Sequence, residues 1–217
     1  MGKPMGINPL FCQIPMATQS FANELITSET LAMVTPRYRY TRLFALGFET
    51  LCDTFLSAGA SPETLKYTRS SLCVAFGVDE AKVKSDAAAL LALTEGMSEA
   101  DMLATDDLKE LAQLKPTYSY ILGSGLTTLM KQAKQSSDGA ELTGEDIARW
   151  CDALELNCKN ALTRDYNYYV TSVEKFGQMK EMFIQMDASA KRQAADRLKQ
   201  KAAAAAEEAE KAEAEAA

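Results

Sequence analysis

The sequence predicts an all-α protein, and three observations lead to this prediction. Helix start and stop signals recur along the chain, alternating strand patterns are almost absent, and the last third carries apolar residues at helical spacing. We expect an irregular helical bundle of about seven or eight helices, with a long C-terminal helix extending from it. The chain divides into an extended N-terminal arm (1–19), a helical domain (20–186) and an Ala/Lys/Glu-rich charged helical tail (187–217).

Proline, glycine and capping residues mark where the predicted helices begin and end. The first helix stops before Pro36, because the residue ahead of a proline is pushed out of the α region. Ser61, Pro62 and Glu63 supply an N-cap, a first-turn proline and an acid at the positive end of a later helix. The helices before the last one cover 20–34, 40–58, 61–77, 79–96, 98–103, 105–114, 118–134 and 143–154.

The last helix carries an apolar repeat with a period of seven residues, which Lys180 interrupts. One interpretation is a long helix packed on the bundle, and the other is pairing with a separate chain. The short run of heptads favours the bundle. The members of the repeat are Leu162, Tyr166, Tyr169, Val173, Phe176 and Phe183.

The tail beyond Met186 is rich in alanine, lysine and glutamate and has no apolar stripe to bury. Its basic half, 191–201, is followed by an acidic half, 207–215, whose charges oppose the helix dipole. We expect a solvated helix whose basic half can contact an acidic surface or anionic lipid.

Composition argues against several classes of function. Lysine and arginine number 23 against 30 aspartates and glutamates, a net charge of −7, so nucleic acid is not expected as a partner. Histidine is absent, which removes the usual base of serine and cysteine hydrolases and the usual ligand of catalytic zinc. We therefore expect no enzyme, no catalytic residue and no metal site. Because no run of about 18 apolar residues is present, no membrane span is expected either.

The five cysteines are odd in number, widely spaced and free of any CxxC motif. This pattern is typical of reduced, buried thiols rather than of a disulfide framework. Cys151 and Cys158 would share a helix face only if one helix ran through both. The remaining three are Cys12, Cys52 and Cys73.

Two segments, 40–47 and 118–125, share one pattern: an aromatic residue, a hydroxyl residue, an apolar pair, and a glycine seven positions after the tyrosine. A glycine inside a helix costs about 1 kcal/mol relative to alanine, so a packing role is expected. The pattern predicts that the two helices cross closely, with bare backbone forming the contact.

The segment RYRYTRLFALGFETL, 37–51, combines a basic and aromatic start with an apolar run. The apolar residues are expected in the core. The arginines are expected at the helix entrance, either solvated or in contact with a partner or lipid headgroups. Two tyrosines of the last helix present the same alternatives, whereas Tyr169 is expected to pack. The candidate partner-binding residues are Arg37, Tyr38, Arg39, Arg42, Tyr166, Tyr168, Lys191, Arg192 and Arg197.

The stretch YRYTRLFALGFETL, 38–51, resembles the signature of the thylakoid formation protein family, a Tyr-x-Tyr pair followed by Phe-Ala-Leu-Gly-Phe. The resemblance covers 24–201. The chain departs from the family pattern at Tyr120 and Ser124, where the family prefers arginine and alanine, and so resembles a divergent member. Further matches follow in order: Tyr118-Ser119 with Gly125-Leu126, Cys151-x-Ala153-Leu154, Arg164-Asp165 with Tyr169, and Gln178-x-Lys180-Glu181.

The resemblance implies a helical protein on the stromal side of the thylakoid membrane in a chloroplast, without known catalytic residues. It also implies links to photosystem II biogenesis, to thylakoid organisation and to the membrane metalloprotease that degrades damaged photosystem subunits. We therefore expect a non-catalytic accessory or scaffold protein, peripheral to the membrane, that binds a photosystem or its light-harvesting antenna as an assembly factor or linker subunit. The alternative is an adaptor that stabilises the metalloprotease in photosystem repair.

No cofactor is predicted from the sequence. Chlorophyll magnesium most often takes histidine, but it is a hard cation that also accepts oxygen ligands. The sequence therefore does not decide whether chlorophyll binds at an edge of the protein or at an interface with the antenna.

Overall fold

The computed structural model describes residues 16–56, 62–137 and 141–215, and all regular secondary structure in these ranges is helical. This finding confirms the predicted all-α class. A π-helical turn, Cys52–Leu56, continues the second α-helix. The α-helices within the described ranges are α1 (Met16–Met33), α2 (Arg42–Leu51), α3 (Pro62–Ala75), α4 (Glu80–Thr94), α5 (Glu99–Leu103), α6 (Asp106–Leu114), α7 (Tyr120–Ser137), α8 (Gly144–Ala153) and α9 (Lys159–Glu215).

Capping residues explain several of the observed helix boundaries. The Thr41 hydroxyl accepts a hydrogen bond from the Phe44 amide at 3.1 Å and so caps the start of α2. Thr143 and Asp146 form a reciprocal capping box at the start of α8. The last turn of α6 closes on Lys115, which takes the left-handed conformation with a φ of 41° directly before a proline.

Three helix boundaries differ from the sequence prediction by more than two residues, and one of them is the end of α7, which lies at Ser137 rather than at Lys134. The first helix begins at Met16 rather than at Ser20. The predicted second helix is not α-helical throughout, because the π-helical turn Cys52–Leu56 takes over after α2. The predicted arm over 1–15 and the predicted stop at Gly59 lie outside the described residues.

Helix α2 lies at the centre of the core and packs against α4 and α7. All residues from Leu43 to Phe48, together with Leu51, are buried. Phe76 meets the rings of Phe44 and Phe48 edge to face, with centroid distances of 6.4 and 6.1 Å. Each fully buried side chain of this kind contributes about 1.5–3 kcal/mol. The apolar part of the segment 37–51 therefore enters the core, as predicted.

The crossing of α2 and α7 is a contact of backbone against backbone. A methyl group on Gly47 would lie 2.6 Å from the Gly125 nitrogen and would overlap the carbonyl oxygen of Ile121. A methyl group on Gly125 would overlap the carbonyl oxygen of Leu43. Only hydrogen fits at these two positions, so the predicted close crossing is confirmed.

The first turns of α9 pack on the bundle. Leu162 is buried, and the Tyr169 ring meets the Phe55 ring edge to face at a centroid distance of 5.6 Å. These contacts support the interpretation that the start of the apolar repeat belongs to the bundle rather than to a separate chain. The chain divides after Val173 into two compact units, 1–173 and 174–217.

The second unit, as far as it is described, consists of the continuation of α9 to Glu215. Its apolar side chains Met182, Ile184 and Leu198 are exposed. The predicted domain boundaries and the extension of the last helix from the bundle stay predictions.

We expect the substitutions Gly47→Ala and Gly125→Ala to destabilise the protein by about 3 kcal/mol each, because the added methyl group meets backbone atoms that cannot rotate away. Chemical denaturation followed by circular dichroism measures the change in the free energy of unfolding.

Gly177→Ala provides the matched control. Gly177 also lies inside a helix, but nothing stands within 4 Å of the position that a methyl group would take. This substitution should stabilise the protein by up to about 1 kcal/mol through helix propensity. Equal effects of all three substitutions would contradict the backbone contact.

Candidate interaction surface

The connection between α1 and α2 forms a corner that is anchored to the chain ahead of α7. The hydroxyls of Thr35 and Thr117 hydrogen-bond at 2.6 Å, and the Thr117 amide donates to the Arg37 carbonyl at 3.4 Å. The Tyr38 amide donates to the Thr35 carbonyl at 3.1 Å, which closes a turn. The corner is therefore held by bonds between residues far apart in the sequence.

Arg37 and Arg39 lie in this connection and Arg42 is the first residue of α2, and we refer to the three as the arginine corner. Arg37 and Arg39 are exposed, and neither forms a salt bridge with a described residue. The Arg39 guanidinium instead donates to the carbonyls of Pro36 and Tyr38, at 3.0 and 2.6 Å. These bonds orient the guanidinium without neutralising its charge.

Arg42 differs from the other two arginines because a carboxylate meets its charge. Its Nε donates to Asp107 Oδ1 at 2.7 Å, and 39% of the arginine side chain stays exposed. This ion pair joins the start of α2 to the first turn of α6. Arg42 therefore combines a structural contact with a partly exposed surface.

Tyr38 points inward, away from the arginine corner. Its ring packs edge to face on Phe44 at a centroid distance of 6.3 Å. Its hydroxyl is buried near the carboxyl of Glu29, and burial together with this acid raises the pKa of Tyr38. As a partner-binding residue Tyr38 stays a prediction, and its position suits packing.

Glu29 is a fully buried acid on α1 that sequence analysis missed. Burial raises its pKa from 4.5 to about 7, against smaller lowering interactions with the side chains of Ser119 and Tyr38. Neither carboxyl oxygen makes a hydrogen bond of normal geometry. The available signal was its register, because Leu25 and Ala32 lie four positions before it and three after it and are also buried.

Tyr168 lies on the side of α9 that faces α1. Its hydroxyl donates to the Glu24 carboxylate at 3.0 Å, and its ring lies 6.3 Å from that of Tyr120. A groove of about 290 Å³ opens between α1, α7 and α9 at this point. The groove is lined by Phe21, Glu24, Leu25, Ser28, Tyr120, Arg164, Asp165 and Tyr168.

Tyr166 lies on a different face of α9, against α7. The Lys131 ammonium lies over the rings of Tyr166 and Tyr169, 5.0 and 4.7 Å from their centroids. Burial lowers the pKa of Lys131. The two tyrosines that the sequence grouped together, at positions 166 and 168, therefore take part in separate contacts.

The basic candidates of the tail lie in the second unit. Lys191, Arg192 and Arg197 are exposed on the helix that follows residue 174. Their role in partner binding stays a prediction, as does that of the other candidates.

Over 16–56, 62–137 and 141–215, no helix is both long and apolar enough to cross a membrane. Within the same described ranges, no three side chains of the cysteine, aspartate or glutamate type gather where they could hold a metal ion.

A sequence model described as Thylakoid formation protein matches residues 13–198. The chain belongs to the thylakoid formation protein family. The match spans most of the residues whose motifs resemble the family, and it confirms that resemblance. The family is one of thylakoid-associated proteins.

Named relatives match over most of the chain and come from cyanobacteria and a plant. Protein Thf1 of Acaryochloris marina is 28% identical over 193 residues, which cover 81% of this chain and 77% of that protein. Protein Thf1 of Rippkaea orientalis is 25% identical and covers 73% of this chain and 74% of its own length. The chloroplastic protein THYLAKOID FORMATION1 of Solanum tuberosum is 25% identical, covering 87% of this chain and 67% of its own length.

The solved structure of Psb29 matches the structure with a TM-score of 0.68 and 22% sequence identity. The match covers 83% of this chain and 91% of the Psb29 chain. The helical fold described above is therefore shared with Psb29.

We expect Glu29→Gln to stabilise the protein above pH 7 by up to about 3 kcal/mol, because an uncharged amide replaces a buried carboxylate. The pKa of Glu29 is about 7 in the folded protein and 4.5 ordinarily, so the folded state binds the proton more tightly. In the wild type, the contribution of Glu29 to stability is present below about pH 4.5 and is lost as the pH rises through 7.

Thermal melting of both proteins between about pH 5 and pH 8 measures this dependence, and the variant should show a flatter profile. Glu95→Gln is the control, since this acid caps the end of α4 and is exposed to solvent. Parallel profiles for the wild type and Glu29→Gln would show that Glu29 does not titrate in this range.

Proposed function

We propose that this protein is a non-catalytic accessory protein, peripheral to the thylakoid membrane, that binds a photosystem or its light-harvesting antenna. Family membership over residues 13–198 supports the thylakoid context. The observation that carries the binding proposal is the arginine corner, where two exposed guanidiniums lack carboxylate partners among the described residues. The family resemblance also supports the stromal face of the membrane and a role in photosystem II biogenesis.

The arginine corner suits recognition of an acidic protein surface. A guanidinium presents a planar set of donors that pairs with carboxylates in two parallel bonds. Arg39 is already oriented by the carbonyls of Pro36 and Tyr38, and the backbone of Arg37 is tied to Thr117. Binding through these residues therefore costs less conformational entropy than binding through side chains that are unrestrained in the free protein.

Exposed apolar side chains lie directly before the arginine corner. Leu31 is 66% exposed and Val34 is 76% exposed, at the end of α1 and just beyond it. Protein interfaces combine an apolar centre with arginine and a polar rim. The chain as a whole is acidic, with a net charge of −7, so a favourable encounter with an acidic partner depends on this local basic surface.

The test is affinity capture from detergent-solubilised thylakoids with the tagged full-length protein, followed by mass spectrometry of the captured chains. We expect photosystem or antenna subunits with the wild type, and at least about fivefold less of them with the double variant Arg37→Gln/Arg39→Gln. The loss should arise because two charge-assisted contacts are removed while the fold is kept.

The matched control is Lys66→Gln/Lys109→Gln, which removes the same number of positive charges from exposed positions on α3 and α6. It should retain the captured subunits. Equal capture by the wild type and the arginine variant would show that the arginine corner is not part of the interface. Capture of a membrane metalloprotease without photosystem or antenna chains would overturn the proposal in favour of the adaptor role.

A further inference from the structure

Cys151 and Cys158 lie at the two ends of the connection between α8 and α9. Cys151 is in the last turns of α8, which ends at Ala153, and Cys158 directly precedes the first residue of α9. One helix therefore does not run through both cysteines. The connection instead folds back, because the Leu156 amide donates to the Cys151 carbonyl at 2.8 Å and Glu155 takes a left-handed φ of 51°.

This turn brings the two thiols into contact. The interaction between the two thiols holds the pKa of Cys158 below its ordinary value. The same contact raises the pKa of Cys151. The Cys158 carbonyl accepts the first bond of α9, from the Leu162 amide at 2.8 Å, so Cys158 also lies at the positive end of a long helix.

The two cysteines differ in their access to solvent. Cys151 is fully buried, whereas Cys158 is partly exposed. Cys158 lines an open cavity of about 300 Å³ together with Arg37, Lys115 and Glu155, and Lys115 pairs with Glu155 at 3.0 Å. A small oxidant can therefore reach Cys158 through this cavity, whereas Cys151 is buried.

We propose that Cys158 is a peroxide-reactive thiol and that Cys151 is its resolving partner, so that the two form a reversible disulfide. The inference stands on the paired thiols, their unequal exposure and the helix terminus. It does not depend on which partner the protein binds.

The reaction has two balanced steps with hydrogen peroxide as the oxidant. The Cys158 thiolate attacks one peroxide oxygen, the O–O bond breaks, and the leaving hydroxide takes a proton to become water, which leaves a sulfenic acid. The Cys151 sulfur then attacks the sulfenic sulfur, the S–O bond breaks, and a second water leaves with the thiol proton. Two thiols are oxidised as one peroxide is reduced to two waters, and a dithiol reductant reverses the disulfide by exchange.

Cys52 and Cys73 serve as internal controls. Both are buried, and burial raises the pKa of Cys73 to about 11 and also raises that of Cys52. Neutral thiols of this kind react slowly with peroxide. Cys12 lies outside the described residues and is replaced by serine in the experiment.

The sequence makes the product easy to detect. Trypsin cleaves after Arg149 and Lys159, so Cys151 and Cys158 fall in one peptide, 150–159, that contains no other cysteine. The full-length Cys12→Ser protein is reduced, treated with hydrogen peroxide, denatured, alkylated with iodoacetamide and digested. We expect the peptide 150–159 to lack two hydrogens and to carry no label, and a dithiol applied before alkylation should restore two labels.

Two outcomes would overturn the proposal. One is a peptide 150–159 that stays doubly alkylated after the peroxide treatment. The other is a sulfinic or sulfonic acid on Cys158 while Cys151 still takes the label. Cys73→Ser should leave the disulfide unchanged, and loss of the disulfide in this control would likewise overturn the assignment.

Variants with one cysteine replaced test which of the two thiols reacts with peroxide first. With Cys151→Ala, the sulfenic acid on Cys158 should persist and be trapped by dimedone. With Cys158→Ser, oxidation of Cys151 should slow at least about tenfold, because the remaining thiol is buried and protonated. Thermal melting establishes that each variant is folded, and equal oxidation of Cys151 with and without Cys158 would refute the order.

Discussion

The backbone contact between α2 and α7 is the constraint on which the rest of the structure depends. Gly47 and Gly125 let the two helices approach until carbonyl groups and amides replace side chains at the crossing. Helix α2 is the central element and also packs against α4. The contact also fixes the entrance of α7, where Thr117 meets the chain that leads into α2.

The α1–α2 connection has a buried side and an exposed side. The inward side of this connection holds the Tyr38 ring against Phe44 and its hydroxyl near the buried carboxyl of Glu29. The outward side presents Arg37 and Arg39. Bonds to Thr117 hold both sides in place, so a buried acid of raised pKa and an exposed basic surface lie a few residues apart. The basic surface supplies the binding proposal, and the buried acid affects stability.

The α8–α9 connection is a second feature that depends on local geometry rather than on the helix crossing. Its backbone bond from Leu156 to Cys151 and the left-handed Glu155 turn the chain back on itself. This turn places a buried thiol and an accessible one side by side. The chemistry proposed for the pair therefore comes from the connection, whereas binding to a partner is assigned to the corner between α1 and α2.

The sequence by itself determined the helical class, most helix boundaries, the close crossing at glycine and the family. These properties follow from local signals: caps, prolines and glycines act within a few residues, and the family motif is contiguous. The three-dimensional structure alone decided that Glu29 is buried, that Tyr166 and Tyr168 make separate contacts, and that Cys151 meets Cys158 across the α8–α9 connection. The first two depend on how faces of different helices meet, because burial and charge environment are set by neighbours that the local pattern does not specify. The third depends on the backbone path of the α8–α9 connection, which the spacing of the two cysteines does not specify.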